Sequence, residues 1–388
     1  MLSIVALLIL GCTTPEPANV ASIGAVEVEP ATLVGWEKEL AWVDREIAGV
    51  QRRLQTNPNQ WMVESQLAGL YTSRARLTGN YDDYAMAERA IDRAFDIAPE
   101  GSGPFTSRAS LNFTLHRLNA VEADLAAAEK RINLDNNTRA GIVLLRARVE
   151  MERGNYTAAA EGYAESLKLH ETLQVHSAIA HHAWQTGDLE TAERQLATSE
   201  AMYHGRSDEP RAWFHLQRAI TDLEAKRYDE ALAHLADADA AMPGYWLVRE
   251  HIAEIKGLQG DLEGSLAIYE IVVPQTQNPE LMGAMAGILT ALDRADEAAV
   301  WIERADRLFA ERIKRYPEAA SGHALEHALE YGDVTQALGL AEANAALRPN
   351  GIALNLLAEA YLKADRLDDA QATIARAKAL GWAGTPAI

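Results

Sequence analysis

The sequence predicts an all-α protein built as a solenoid of stacked helix pairs. Three observations lead to that expectation. Apolar residue types make up 48% of the chain and aromatics only 6%, and alternating Val/Ile/Thr runs are almost absent, a composition suited to helices in close contact. Alanine-centred helical steps recur 33 to 39 residues apart over most of the length. Glycine followed by Asp or Asn recurs between the helical stretches, where one helix stops and another starts. At 388 residues the chain exceeds one ordinary compact core, which suits several domains or an extended array.

The first eleven residues read as an export signal. Leu2 to Leu10 is apolar except for Ser3, and a bilayer-spanning helix needs about 20 such residues. Ile9-Leu10-Gly11-Cys12 resembles the lipobox of bacterial lipoproteins, and Cys12 is the only cysteine of the chain. The n-region, Met1-Leu2-Ser3, departs from that pattern in having no Lys or Arg. The resemblance implies cleavage before Cys12 and acylation of its thiol. Each buried methylene then contributes about 0.8 kcal/mol, so several chains anchor stably. Thr13 in place of Asp after the cysteine implies, for a Gram-negative source, the periplasmic face of the outer membrane. Residues 12–34, polar and proline-bearing, read as a flexible tether.

Residues 35–58 read as an amphipathic helix, with Leu40, Val43, Ile47, Val50 and Leu54 on one stripe, ended by Asn57-Pro58. The period begins beyond it. Ala-x-x-x-(Ile/Leu/Tyr) steps stand at Ala87, Ala159, Ala192, Ala231, Ala298 and Ala370, with variants at Ser265 and Ala337. The gap between Ala87 and Ala159 leaves room for one more unit, with Ala123 as its expected anchor. Gly154, Gly187, Gly260 and Gly332 stand between the two helices of a unit, where a left-handed residue is commonly needed. The spacing predicts a longer loop over 205–213 and a long helix from Asp296 to about Tyr316.

A period near 34 with two helices per unit resembles the tetratricopeptide repeat. Pro99, Pro243 and Pro349 each stand twelve residues after Ala87, Ala231 and Ala337, as in the repeat's signature. Leu354, Leu357, Ala358 and Tyr361 occupy its first-helix positions in the last unit. The resemblance implies a right-handed superhelix over residues 59–388, of about nine units. It also implies a concave groove lined by first helices that holds a partner segment. Carried onto this chain, the groove positions are His181, Trp184, Gln185, Trp213, Leu216, Ile220, Leu223, Glu224, Glu250, Glu254, Glu326 and Glu359. Aromatic and aliphatic groups beside carboxylates suit a protein or peptide partner with apolar and basic side chains. The Lys, Asn and Arg set of the family's chaperone-binding clamp is missing. The last second helix, 368–380, carries Gln371, Arg376 and Lys378 and reads as a cap on the stack.

"HALEH" at 323–327 has the H-x-x-E-H spacing of one class of zinc peptidase. A metal-dependent hydrolase using His323, Glu326 and His327 is therefore an alternative function. A milder reading makes His323 and His327, one turn apart, metal ligands with Glu359. The period places the turn inside a first helix, which favours imidazoles that pack between helices. His181 and His182 are adjacent, so their side chains diverge on a helix. No G-x-S-x-G, Walker A, dinucleotide-binding glycine set, H-E-x-x-H or C-x-x-C is present, so neither catalysis nor a cofactor is expected. A formal charge of −20 repels phosphate backbones, so nucleic acid is not expected as partner. The sequence thus reads as a lipid-anchored scaffold of the bacterial envelope, with a soluble cytoplasmic adaptor as a further alternative.

Overall fold

The computed structural model describes residues 33–131 and 134–384. The expected signal segment, Cys12 and the tether as far as residue 32 lie outside the described residues. Among those described there are nineteen α-helices and no strand, and no helix is long and apolar enough to cross a membrane.

The opening helix, α1 (Gly35–Thr56), buries Val43, Ile47, Val50 and Leu54. Nine helix pairs follow: α2 (Trp61–Thr78) with α3 (Tyr81–Ile97), α4 (Phe105–Thr114) with α5 (Leu118–Glu129), and α6 (Asn136–Glu152) with α7 (Tyr156–Leu169). Next come α8 (Leu173–Gln185) with α9 (Leu189–Ala201), α10 (Glu209–Glu224) with α11 (Tyr228–Ala241), and α12 (Trp246–Leu258) with α13 (Leu262–Thr276). The last are α14 (Pro279–Ala291) with α15 (Ala295–Arg315), α16 (Pro317–Tyr331) with α17 (Val334–Leu347), and α18 (Gly351–Lys363) with α19 (Leu367–Ala379).

Small residues close eight of the nine pairs. Ala87, Ala159, Ala192, Ala231, Ser265, Ala298, Ala337 and Ala370 are all buried on second helices. Their short side chains let the backbones approach, and the Ser265 hydroxyl donates to the Ala253 carbonyl at 2.7 Å across its pair. The expected anchor Ala123 is exposed, and Val121 takes its place. A buried hydrogen bond from Asn112 Nδ2 to Asp124 Oδ2 at 3.1 Å turns the face with Val121, Leu125 and Ala128 inward. Ala123 is thereby left on the opposite side of α5.

The turns within pairs are only partly a glycine device. Gly154, Gly187 and Gly260 have φ of 76°, 84° and 88°, but Gly332 is extended, with φ −89°. The equivalent turn position is left-handed at His116, Lys226, Asp293 and Asp365 as well, with φ between 55° and 60°. A residue with a Cβ pays about 1–2 kcal/mol there. Lys226 is exposed, so Lys226→Gly is expected to stabilise the chain by about 0.5–1 kcal/mol, net of the entropy glycine brings to the unfolded state. The midpoint of urea unfolding measures it.

The pairs form two compact units, each assembled from two distant stretches of chain. One, here unit A, comprises described residues up to Leu111 together with Gly205–Asn278. In it Trp36 N–H donates to the Pro243 carbonyl at 3.0 Å. The indoles of Trp36 and Trp246 both donate to the Leu77 carbonyl, at 2.6 and 3.0 Å. That carbonyl belongs to the last turn of α2, where no helical donor remains. Glu39 accepts from Ser207 Oγ at 3.1 Å and Asp208 N–H at 2.9 Å. The other, unit B, comprises Asn112–His204 and described residues from Pro279 onward. It is tied by Asn350 Nδ2 to Glu152 Oε2 at 3.2 Å and by Ala383 N–H to the Gln185 carbonyl at 2.9 Å.

Candidate partner-binding site

The H-x-x-E-H turn lies in α16 of unit B, and its imidazoles go to different carboxylates. His323 Nδ1 lies 3.3 Å from Glu326 Oε2 and 3.6 Å from Glu280 Oε2. Burial alone would lower its pKa, but Glu280 and Glu326 outweigh it and raise the value to about 9. His327 Nε2 pairs with Asp306 at 2.8 Å, its ring set against Phe309 and Tyr331 at centroid distances of 5.0 and 5.1 Å. Glu359 is surrounded instead by Lys363 and Glu326, and burial raises its pKa. The structure therefore does not bring His323, His327 and Glu359 together, because each is satisfied by a different neighbour.

A buried polar centre stands elsewhere in unit B. Its base is a directed chain of hydrogen bonds. Gly351 N–H donates to the Tyr156 hydroxyl at 2.9 Å, and that hydroxyl donates to Gln185 Oε1 at 2.9 Å. Gln185 Nε2 then donates to His181 Nε2 at 3.0 Å, which requires a neutral imidazole. Burial first, then Arg148 and His182, push the His181 pKa down to about 3. The His181 ring leans on Trp184 at 5.5 Å, and Trp184 is half-buried.

The charges of this centre come from α6 and the turn before α18. Glu152 Oε2 lies 3.7 Å from Arg348 Nη1. Burial raises the Glu152 pKa, opposed by Arg348 and Arg148. Arg348 Nη1 donates to His116 Nε2 at 2.9 Å and Nη2 to Asn344 Oδ1 at 2.9 Å. Burial and the Arg348 charge hold His116 well below its ordinary pKa. Arg148 is buried at 6% exposure, its guanidinium 4.5 Å above the Phe113 ring, and its Nη2 has no hydrogen-bond acceptor among the described residues. Two guanidiniums thus face one carboxylate, with both neighbouring imidazoles neutral.

In unit A the groove positions divide by burial. Leu216, Ile220 and Leu223 are core residues. Trp213 is half-buried and edge-on to Phe214 at 5.4 Å, while Glu224 is exposed and Glu254 half-buried. Glu250 is buried, with Oε2 2.6 Å from His251 Nδ1. Burial would lower the His251 pKa, but Glu250 and Glu254 raise it to about 9.

No protein-family model matches the sequence, and no curated protein does. Among solved structures, a Rap protein complexed with competence and sporulation factor matches at 14% identity, over 88% of this chain and 97% of its own, with TM-score 0.50. A Rap conjugation gene regulator of plasmid pLS20 in complex with a Phr peptide matches at 11% identity, over 83% of this chain and 93% of its own, with TM-score 0.47. A tetratricopeptide repeat protein from Parabacteroides merdae matches at 12% identity, over 66% of this chain and 97% of its own, with TM-score 0.41. The fold is the tetratricopeptide-type solenoid.

The tetratricopeptide register places His181, Trp184 and Gln185 on one first helix, where they join the unit B centre. It says nothing of Arg148, Glu152, Arg348 and His116, which the centre also needs. Arg148 and Glu152, four apart on an otherwise apolar face of α6, are the signal that could have been read. Trp213, Leu216, Ile220, Leu223, Glu224, Glu250 and Glu254 belong to unit A, and Glu326 and Glu359 to other helices of unit B.

Proposed function

We propose that this protein is a lipid-anchored scaffold that holds a protein or peptide partner on a bacterial envelope membrane. The tetratricopeptide-type fold supports partner binding, since a Rap protein of the same fold is complexed with competence and sporulation factor. The observation that carries the reading is the unit B centre. Arg148 stacks on Phe113 and faces Glu152, yet its Nη2 has no acceptor among the described residues, and leaving such a donor unmet costs about 1–3 kcal/mol. In the proposed complex the side chains over this buried Nη2 move aside and a carbonyl or carboxylate oxygen of the partner supplies the acceptor, with half-buried Trp184 as the apolar anchor. The excess of guanidinium over carboxylate favours a polar or acidic group at this point, whereas the acidic positions Glu326 and Glu359 keep the expectation of basic side chains elsewhere on the partner.

The anchor rests on Cys12 directly after the apolar run, with the periplasmic face of the outer membrane as the location. Scaffolding rather than catalysis is the activity, because the H-x-x-E-H imidazoles point to separate carboxylates. One preparation tests both parts. Cells expressing the chain with a photo-crosslinking residue at Trp184 are labelled with palmitate and irradiated. The expected result is a labelled band that Cys12→Ser abolishes, and a protein adduct, identified by mass spectrometry, that Arg148→Met abolishes with helicity unchanged. An unlabelled parent chain refutes the anchor, and an adduct indifferent to Arg148→Met refutes the site.

A further inference from the structure

We infer that His215, His234 and Asp237 form a binding site for a transition-metal dication of the zinc class. The site lies in unit A, on the pair α10 and α11, and shares no residue with the unit B centre or the H-x-x-E-H turn. One ligand atom from each of the three residues lies within 4.8 Å of the others. Two imidazoles and a carboxylate are the donor set that zinc, nickel and copper accept, and which magnesium and calcium do not prefer.

The backbone under these donors is fixed. His215, Ala219 and Asp222 recur along one face of α10, while His234, Asp237 and Ala238 share a face of α11. Ala219, Ala231, Leu235 and Ala238 are almost fully buried, so the two helices meet at close range and their Cβ positions are set. His215 and His234 are half-buried and Asp237 is exposed. Metal–ligand bonds of about 2.0–2.1 Å put tetrahedral donors about 3.3 Å apart, so side-chain rotation alone closes the set.

A further carboxylate supports the arrangement. Asp222 Oδ2 lies 3.5 Å from His234 Nε2, and Asp222 Oδ1 accepts from Arg227 Nε at 3.0 Å. A metal-ligating histidine is ordinarily oriented by such a carboxylate on its other ring nitrogen. Asp222 is placed to orient the His234 ring when the ion binds, and the fourth position stays open to water or to a partner's donor. The net charge of −20 adds a general attraction for cations.

Zinc titration by calorimetry on the full chain tests the site, with His323→Ala as a control for the other histidine pair. The expected result is a single site whose affinity falls about tenfold or more in His234→Ala and in Asp237→Asn, and stays unchanged in His323→Ala. Asp237 is exposed, so its variant folds as the parent does, which circular dichroism checks. Absence of zinc binding by the parent, equal affinity in the parent and Asp237→Asn, or loss of binding in His323→Ala would each overturn the assignment.

Discussion

Glu152→Gln is expected to destabilise the protein by about 3 kcal/mol or more, because it leaves buried guanidiniums without their carboxylate. Arg348 Nη1 lies 3.7 Å from Glu152 Oε2, and Arg148 adds a second positive charge to the same carboxylate. The amide keeps the shape and can still accept from Asn350 Nδ2, so the loss isolates the charge. Glu150 is the control: it pairs with Arg153 at 3.1 Å on a surface with 25% exposure, and such pairs contribute about 0.2–1 kcal/mol. Urea unfolding of both variants decides the matter. Equal losses would mean that the unit B centre is held by packing rather than by charge.

Stability is also expected to fall on both sides of neutrality, through histidines of opposite sign. His251 in unit A has a folded pKa of about 9, against about 6.5 unfolded. Between those values the folded chain holds a proton that the unfolded chain has released. The contribution is fully present below pH 6.5 and is lost as the pH rises through about 9, on the order of 3 kcal/mol. His323 in unit B follows the same course. His181 has the opposite sign: its folded value is about 3, so its contribution is present above pH 6.5 and is lost as the pH falls towards 3. Unfolding midpoints across this range are expected to form a dome, and His251→Phe is expected to flatten only its alkaline side. An alkaline limb unchanged in His251→Phe would contradict the assignment.

The helix pairs were legible in the sequence because each rests on a local rule repeated many times. A small residue on every second helix and a break after it survive degeneracy at single positions. Ala123 misled because composition names a small residue without saying which face it occupies, and the Asn112–Asp124 hydrogen bond settles that. The left-handed turns at Lys226, Asp293 and Asp365 were invisible for a related reason: geometry imposed by the pair overrides the preference for glycine. The unit B centre was legible only in part. His181 and Gln185 share a first helix, but Arg348 reaches His116 across 232 positions of chain, and no short-range pattern records such a meeting. The metal donors illustrate the same limit on a smaller scale, since His215 and His234 meet only when α10 folds back against α11.

The long-range closures of each unit bear on how the chain is made. In a simple repeat array each element needs only its neighbour, and stability accumulates piece by piece. Here the Trp246 indole finds Leu77 across 169 positions, and Gly351 finds Tyr156 across 195. During synthesis the early helices must therefore wait, unsealed, until much later segments emerge from the ribosome, and bringing such distant parts together slows folding. Excising one internal repeat would shift every later closure out of place instead of shortening the array by a step. Unit A cannot set before Asn278 has emerged, and unit B cannot set before the segment from Pro279 onward has followed it.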